Sequence, residues 1–331
     1  MTKRLLTPVL AFSLLLLAIG CRSTNQPKEQ GWTRAKVLAD KEDHPSKIVS
    51  DGEAVYFVTG STAASMNAGT NNIKKISLDD GTVSILVKGG KIIPDTTLAV
   101  DGKFLYWSDG GLLRVPKVGG DSEKIIPNAP KPDEIVMDND NFYWLIWTGE
   151  GSPPAPIMYA PKTGGEAKQL TPPQPPTSGI ALDGDVIYWM TGDGIKRIPK
   201  GGGVITDFYR HAFKQPSLGL QQDAENFYFC QMNERGHSAL MKLNKKSGEL
   251  TELAPSINHT MEFVVADGNV FYFDEVPKSG SFGQVALRRV STSGGSPVEI
   301  DQGNAGWLKY LAVDDKQIYF TDISRVYALP K

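Results

Sequence analysis

The sequence predicts an all-β protein, a seven-bladed β-propeller in which an N-terminal strand completes the last blade. Three observations predict it: a short motif recurs seven times, its copies start 37 to 50 residues apart, and the last copy ends one strand early. The chain also contains 34 Gly and 22 Pro residues, which suits a fold rich in turns. Because 40% of the residues are hydrophobic and 22% are charged, the composition excludes a disordered or collagen-like chain.

The recurring motif is an Asp followed five residues later by a Tyr, which is itself followed by a second aromatic residue. The copies are Asp51 with Tyr56 and Phe57, Asp101 with Tyr106 and Trp107, Asp138 with Tyr143 and Trp144, Asp183 with Tyr188 and Trp189, Asp223 with Tyr228 and Phe229, Asp267 with Tyr272 and Phe273, and Asp314 with Tyr319 and Phe320. The interval never changes, so the motif marks the same place in seven structural repeats.

Each repeat contains four predicted strands. The Asp lies between two β-rich runs, as at residues 180–182 and 186–189, and therefore begins a hairpin turn. A third strand with its own turn follows, as at residues 113–120, and then a short fourth strand, as at residues 123–126. Four antiparallel strands in a repeat of about 44 residues are typical of a propeller blade.

The second strand of each repeat has two apolar faces. The residues four and six positions after the Asp lie on one face, and the Tyr lies on the other. Both faces therefore need a covering layer. In a propeller, the two neighbouring blades supply it.

The two ends of the chain predict how the ring closes. The seventh repeat supplies three strands and stops at Lys331, whereas the other repeats continue into a fourth strand. Residues 35–38 resemble the fourth strands at residues 123–126 and 167–170. We therefore expect the N-terminal segment to complete the seventh blade and to remove an exposed sheet edge. The expected result is one closed domain over residues 32–331, with a six-bladed ring as the alternative.

Residues 1–20 have the features of a secretory signal peptide. Lys3 and Arg4 precede an apolar run over residues 5–19, which is too short for a membrane span. The run ends in Leu-Ala-Ile-Gly-Cys at residues 17–21, which resembles the lipobox of bacterial lipoproteins. The resemblance implies that Cys21 is acylated and becomes the new N-terminus. Ordinary cleavage beside an incidental cysteine is the alternative.

Residues 21–31 comprise the predicted lipidated cysteine and a polar tether without apolar periodicity. Fully extended, the tether reaches about 35 Å. Arg22 stands where lipoproteins retained in the inner membrane of some bacteria carry Asp, which favours the outer membrane. We therefore expect a lipid-anchored protein of the cell envelope, exposed to the periplasm or at the cell surface.

Two copies of the motif extend into tetrapeptides, Tyr-Trp-Ser-Asp at residues 106–109 and Tyr-Phe-Thr-Asp at residues 319–322. They resemble the Tyr-Trp-Thr-Asp repeat of low-density-lipoprotein-receptor class B propellers. The blade pattern is also similar to TolB-like and NHL-like propellers of secreted bacterial lipoproteins. The resemblance implies a recognition scaffold that binds proteins or glycans, on a fold that most often has six blades.

Little in the sequence points to catalysis or to a bound metal. The four His residues lie in different connections without a spacing typical of zinc ligands, and no set of Ser, Cys and His matches a known catalytic spacing. We predict no catalytic residues, no metal and no cofactor, and a propeller hydrolase or lyase with its site at the channel mouth remains the alternative. Cys21 and Cys230 are too few for a disulfide framework, and we expect Cys230 to be a buried thiol.

The charge of the chain excludes one class of partner, nucleic acid. Its formal net charge is −2 and no block of five like charges occurs, so nucleic acid is not an expected partner. Lysines follow the third strands of several repeats, and we expect them to form a solvated rim, with a contact to an anionic lipid or glycan as the alternative. They are Lys117, Lys162, Lys200, Lys245 and Lys246.

The antiparallel topology puts the long, unequal loops on one face of the ring, which we call the loop face, and the short turns on the opposite turn face. The innermost strands begin at the loop face, at the mouth of the central channel. We predict that a ligand or partner contacts residues at this face, namely Trp147, Arg210, His211, His259, Glu262, Lys309, Asp133, Glu134 and Lys47.

The charges among these residues at the channel mouth allow two interpretations. They form either a site for a polar ligand or cation, or a hydrated, charge-balanced plug. The sequence thus predicts a monomeric envelope lipoprotein whose propeller recognises a protein or glycan without catalysis.

Overall fold

Runs of β-branched and aromatic residues pair into seven antiparallel sheets of four strands each, arranged as a ring. The structure is a computed structural model. It describes residues 32–60, 71–89, 92, 96–130, 132, 134–146, 153–175, 177–211, 218–232, 237–257, 262–276, 284–304 and 310–331. These residues form strands, turns and connections but no helix. They belong to a unit that spans Gly31–Lys331.

The strands are numbered along the chain, and each blade is given from its innermost strand outward. The first strand, β1 (Lys36–Ala39), belongs to the last blade. Blade 1 contains β2 (Ser46–Ser50), β3 (Ala54–Thr59), β4 (Asn72–Ser77) and β5 (Val83–Lys88). Blade 2 contains β6 (Leu98–Val100), β7 (Phe104–Ser108), β8 (Leu112–Pro116) and β9 (Glu123–Ile126). Blade 3 contains β10 (Glu134–Met137), β11 (Asn141–Leu145), β12 (Met158–Pro161) and β13 (Lys168–Gln169).

The remaining blades repeat this order. Blade 4 contains β14 (Thr177–Asp183), β15 (Val186–Thr191), β16 (Gly194–Pro199) and β17 (Thr206–Arg210). Blade 5 contains β18 (Leu218–Gln222), β19 (Asn226–Met232), β20 (Ser238–Asn244) and β21 (Leu250–Ile257). Blade 6 contains β22 (Phe263–Ala266), β23 (Asn269–Glu275), β24 (Gln284–Ser291) and β25 (Val298–Asn304). Blade 7 contains β26 (Leu311–Val313), β27 (Gln317–Thr321), β28 (Val326–Pro330) and, outermost, β1.

The predicted seven-bladed propeller is therefore confirmed, and the six-bladed alternative is wrong. Seven apolar clusters form the core, one between each pair of neighbouring blades. Between blades 1 and 2, for example, Tyr56 packs with Leu105 and Trp107, which occupy positions four and six of the next motif. The core thus consists of the repeated residues that the sequence placed on the two faces of the second strands.

The predicted closure of the ring is also confirmed. β1 pairs antiparallel with β28, with Lys36 opposite Ala328 and Val37 opposite Tyr327. Just before β1, the ring of Trp32 enters the cluster between blades 6 and 7, with its centroid 4.5 Å from that of Phe320. Gly303 on β25 leaves room for this ring, because a Cβ there would lie only 2.7 Å from it.

A buried carboxylate on blade 6 holds the same N-terminal segment. Asp301 on β25 is 3% exposed. It accepts hydrogen bonds from the backbone N–H groups of Thr33, Arg34 and Ala35 at 2.9 to 3.1 Å and from the Thr33 hydroxyl at 2.5 Å. Although burial raises the pKa of Asp301, these donors outweigh it and hold the pKa below its usual value. The closing segment is therefore fixed to two blades at once.

Replacing Asp301 should loosen this closure. In Asp301→Ala, three backbone N–H groups lose their acceptor, which should cost about 3 to 4 kcal/mol of unfolding free energy. Glu299→Ala, an exposed position on the same strand, is the matched control and should stay within about 0.5 kcal/mol. Urea unfolding followed by tryptophan fluorescence measures both. Equal stability of the two variants would contradict the role given to Asp301.

Candidate functional site

The repeated Asp is a structural residue that joins three elements. In blade 2, one carboxylate oxygen of Asp101 accepts bonds from the backbone N–H groups of Lys103 and Phe104, both at 2.9 Å, and so caps the hairpin turn. The other oxygen accepts the Tyr106 hydroxyl at 2.8 Å and lies 2.6 Å from the Lys162 ammonium of blade 3. We call this arrangement the clasp, because it connects the motif of one blade to the next blade.

The clasp explains the lysines of the turn face. The predicted solvated rim is wrong for Lys117, Lys162 and Lys245, whose side chains are only 13 to 15% exposed. Lysines follow the paired Asp of the preceding blade by 61 to 66 residues, in the pairs Lys117 with Asp51, Lys162 with Asp101, Lys200 with Asp138 and Lys245 with Asp183. That recurring interval was visible in the sequence and would have indicated the pairing.

The clasp is complete in some blades and altered in others. Tyr hydroxyls bond to their Asp in blades 1, 2, 3, 5 and 7 at 2.6 to 3.5 Å. In blade 6 the hairpin is tighter, since Asp267 (φ 48°) and Gly268 (φ 69°) themselves form the turn. In blade 4 the ring of Tyr188 packs against Phe208 and Phe227 instead, and among the described residues no bond joins its hydroxyl to Asp183.

At the loop face, the mouth of the channel brings together charges from different blades. Lys47 lies on β2, the innermost strand of blade 1, at a β-bulge where its backbone φ is 29°. Its ammonium lies 3.3 Å from Glu262 of blade 6 and 5.2 Å from the centre of the Tyr310 ring of blade 7. The second oxygen of Glu262 accepts the backbone N–H of Leu311 at 3.3 Å. This ion pair therefore spans three blades, and both its side chains remain about one-third exposed, at 32% and 31%.

Glu134 contributes a second carboxylate from the innermost strand of blade 3. It accepts hydrogen bonds from the backbone N–H groups of Ile180 and Gly179 in blade 4. Gly179 adopts a φ of 59° at a bulge in β14, where a Cβ would lie 2.7 Å from Leu220. Burial within the ring raises the pKa of Glu134 to about 7, despite these bonds and the favourable charge of Lys47. Lys47 thus faces two carboxylates, and only that of Glu262 is its direct partner.

Two further residues near the starts of innermost strands, Thr96 and Ser46, are buried. Thr96 is fully buried, and its hydroxyl donates to the Ser108 carbonyl oxygen at 2.6 Å inside blade 2. Ser46 is fully buried as well. Outside the described residues lie Cys21, Asp133, Trp147, His259 and Lys309. The predictions for those five stay predictions.

Arg210 and His211 lie away from the mouth. Arg210 ends β17, the outermost strand of blade 4, three strands from the channel, and its side chain is 83% exposed. It pairs with Asp207 at 2.6 Å, which Lys196 also contacts at 2.8 Å. The His211 ring stacks on Tyr209 with centroids 6.0 Å apart. The structure thus separates the predicted set into a channel mouth and an outer corner of blade 4.

The described residues contain no group of three or more His, Cys, Asp and Glu that could hold a metal ion. Nor does that part of the chain contain a helix long and apolar enough to cross a membrane. Cys230 is a buried free thiol, as predicted, and burial raises its pKa to about 12. Such a thiol stays protonated near neutral pH and is a poor nucleophile.

No protein-family model and no curated protein matches this chain. Solved structures do resemble it. The extracellular domain of the B. thetaiotaomicron protein BT4673 matches with a TM-score of 0.62 and 12% identity, over 90% of this chain and 40% of that one. A chain of the mitotic checkpoint complex matches with a TM-score of 0.60 and 11% identity, over 98% of this chain and 99% of that one. The computationally designed Ika8 protein matches with a TM-score of 0.55 and 11% identity, over 90% and 100%.

At 11 to 12% identity, these similarities show the fold alone. This chain spans less than half the length of the BT4673 chain that it matches. The propeller that the tetrapeptide resemblance implied is therefore supported at the level of fold, with seven blades in place of the six most often found there.

Glu134→Gln should change how stability depends on pH. The folded-state pKa of Glu134, about 7, lies above its ordinary value of 4.5. The protonated carboxyl therefore stabilises the fold below pH 4.5, and this contribution is lost as the pH rises through 7. The variant should match the native protein at pH 4.5 and exceed its stability at pH 8 by up to about 3 kcal/mol.

Thermal melting from pH 4.5 to 8 measures this difference. Glu299→Gln, at an exposed position, is the control and should follow the native profile. If the Glu134→Gln and native profiles run parallel over the whole range, the raised pKa is wrong.

Proposed function

We propose that this chain is an envelope lipoprotein whose propeller recognises a protein or a glycan at its loop face. In this proposal residues 1–20 are removed, the acylated Cys21 anchors the chain in the outer membrane, residues 21–31 form the tether and residues 32–331 form the binding domain. The sequence pattern around Cys21 supports the anchor. The fold shared with an extracellular bacterial domain fits an envelope location.

One observation carries the binding proposal: Lys47, Glu134 and Glu262, from blades 1, 3 and 6, interact at the mouth of one channel. The repeated residues serve the cores and the clasps, whereas these three belong to no repeat. The side chains of Lys47 and Glu262 are about one-third exposed, so a polar group of a partner can exchange with their existing bonds. This supports a polar recognition site over a hydrated, charge-balanced plug.

We further propose a non-catalytic, monomeric scaffold without a cofactor. One observation favours the alternative hydrolase or lyase, because a carboxyl with a pKa of about 7 in a channel suits a general acid or base. The burial of Glu134 accounts for that pKa without catalysis.

The anchor is tested by Cys21→Ala. Without the thiol no acyl chain is attached, and the buried apolar chain that holds the protein to the bilayer is lost. The native protein should pellet with membranes and gain the mass of a lipid, whereas Cys21→Ala should stay soluble with no added mass. Mass spectrometry and membrane fractionation check both. A variant that still pellets would contradict the anchor.

The binding surface is tested once a partner has been captured from envelope extracts and identified. Lys47→Ala and Glu262→Ala, and alanine variants of Trp147, Arg210, His259 and Lys309, should weaken its binding by about tenfold or more where the residue is a main contact. The control is Lys103→Ala with Lys246→Ala, two exposed positions on the turn face.

Calorimetric titration measures affinity, and melting temperatures confirm that each variant folds. If the control pair weakens binding and the loop-face variants do not, the site belongs on the turn face. If the native protein turns over a captured glycan or ester, the enzyme alternative replaces the scaffold.

A further inference from the structure

The outer wall of the ring is not uniform. Among the described residues, four aliphatic side chains on outermost strands are more than a third exposed: Val37 on β1, Val83 and Ile85 on β5, and Val298 on β25, with exposures of 38 to 52%. All four belong to blades 6, 7 and 1, which are consecutive around the ring. We call these residues the aliphatic wall.

The outer strands of the other blades expose different residue types. β9 exposes Glu123 and Lys124, β13 exposes Lys168 and Gln169, and β17 exposes Thr206 and Arg210. On the described outermost strands, exposed valine and isoleucine are therefore confined to three consecutive blades, whereas the exposed Val118 and Val204 lie on single turns of blades 2 and 4. Apolar side chains that recur on the outer strands of one side of the ring indicate a contact surface.

The aliphatic wall is also where the chain enters the propeller. Trp32 lies in the cluster between blades 6 and 7, the next three residues bond to Asp301 of blade 6, and β1 then forms the edge of blade 7. Only ten residues separate Trp32 from Cys21. A tether of that length reaches about 35 Å at most, so an anchored propeller stays close to its membrane at this point of entry.

The charges beside the aliphatic wall fit a lipid surface. Arg34 and Lys36 flank it at the N-terminal segment and Lys88 ends β5, and all three are exposed. Glu299 is the one exposed acidic residue on the described strands β25, β1 and β5; beside these strands, Asp40 pairs with Arg325, and Asp79 and Asp80 are exposed on the turn before β5. Basic side chains next to short aliphatic ones are typical of surfaces that rest in the headgroup region of anionic bilayers.

We propose that the aliphatic wall, Val37, Val83, Ile85 and Val298, is the face that the propeller lays on the bilayer holding its lipid anchor. This inference rests on the proposed anchor at Cys21. The wall is the rim of the ring, so the ring stands on its edge and the channel axis runs parallel to the membrane. Both the loop face and the turn face then remain open to partners.

The test places a fluorophore on the wall of the full lipidated protein. Val298→Cys and Val83→Cys are each labelled with an environment-sensitive dye. Val118→Cys and Val204→Cys, at equally apolar and more exposed positions (94% and 79%) on turns of blades 2 and 4, are the matched controls. Labelling is specific, because Cys21 is acylated in this proposal and Cys230 is buried with its pKa raised to about 12.

Each labelled protein is reconstituted into vesicles of phosphatidylethanolamine and phosphatidylglycerol, with or without a doxyl-labelled lipid as quencher. In the bilayer, the wall dyes should shift to the blue and lose about half their intensity to the quencher, since interfacial groups enter the headgroup and upper acyl region. The Val118 and Val204 dyes should remain unchanged.

The outcomes separate this inference from the proposed anchor. If the native protein does not float with the vesicles, the anchor itself fails. If it floats but wall and control dyes respond alike, the wall proposal is overturned and the anchor stands. Wall dyes that are shielded in detergent without vesicles, with a doubled mass in light scattering, would show that a second copy covers the wall, which also overturns the proposal.

Discussion

Every sheet in this protein is apolar on both faces, and the rest of the structure depends on covering both. A blade cannot bury both of its faces alone. The six interfaces between blades that are consecutive along the chain would leave one apolar face uncovered on blade 1 and one on blade 7. The seventh interface closes only because the N-terminal segment returns to the C-terminal blade. Strand pairing supplies part of this closure. Trp32 between blades 6 and 7, and Asp301 with its four donors from residues 33–35, additionally fix the N-terminal segment to blade 6.

The carboxylate clasp solves a second problem, which is how flat apolar interfaces keep their register. Apolar packing is not directional, so neighbouring blades could slide against one another. In blades 1 to 4 the clasp fixes the base of one blade to a lysine of the next through an ion pair, as between Asp51 and Lys117. Burial raises the pKa of the motif tyrosines in the clasp, and the adjacent Asp raises it further, so the hydroxyl stays a donor at all physiological pH values.

The fold could be predicted from the sequence because its determinants repeat. Seven Asp-to-Tyr intervals and the missing last strand indicated the blade count and the closure, and the structure confirms both. The clasp was missed because its partners come from different repeats, although the recurring interval of 61 to 66 residues between them is present in the sequence. The separation of Arg210 from Lys47 was missed for a related reason: sequence order placed both at the loop face but did not give their distance from the channel axis.

The candidate site occupies positions that the repeat leaves free. Four residues before the motif Asp, the chain carries Lys47, Thr97, Glu134, Gly179, Gly219, Phe263 and Tyr310. Packing would select similar residues at equivalent positions, as it does for the tyrosines, and it has not done so here. Residues at this position in neighbouring blades nevertheless fit one another. Gly179 bends its strand so that two backbone N–H groups of blade 4 donate to the carboxylate of Glu134 on blade 3. Because the repeated residues provide most of the stability, substitutions at these positions should change the free energy of unfolding little. The mouth of the channel is therefore the part of this propeller in which a specific polar recognition surface can arise without changing the fold.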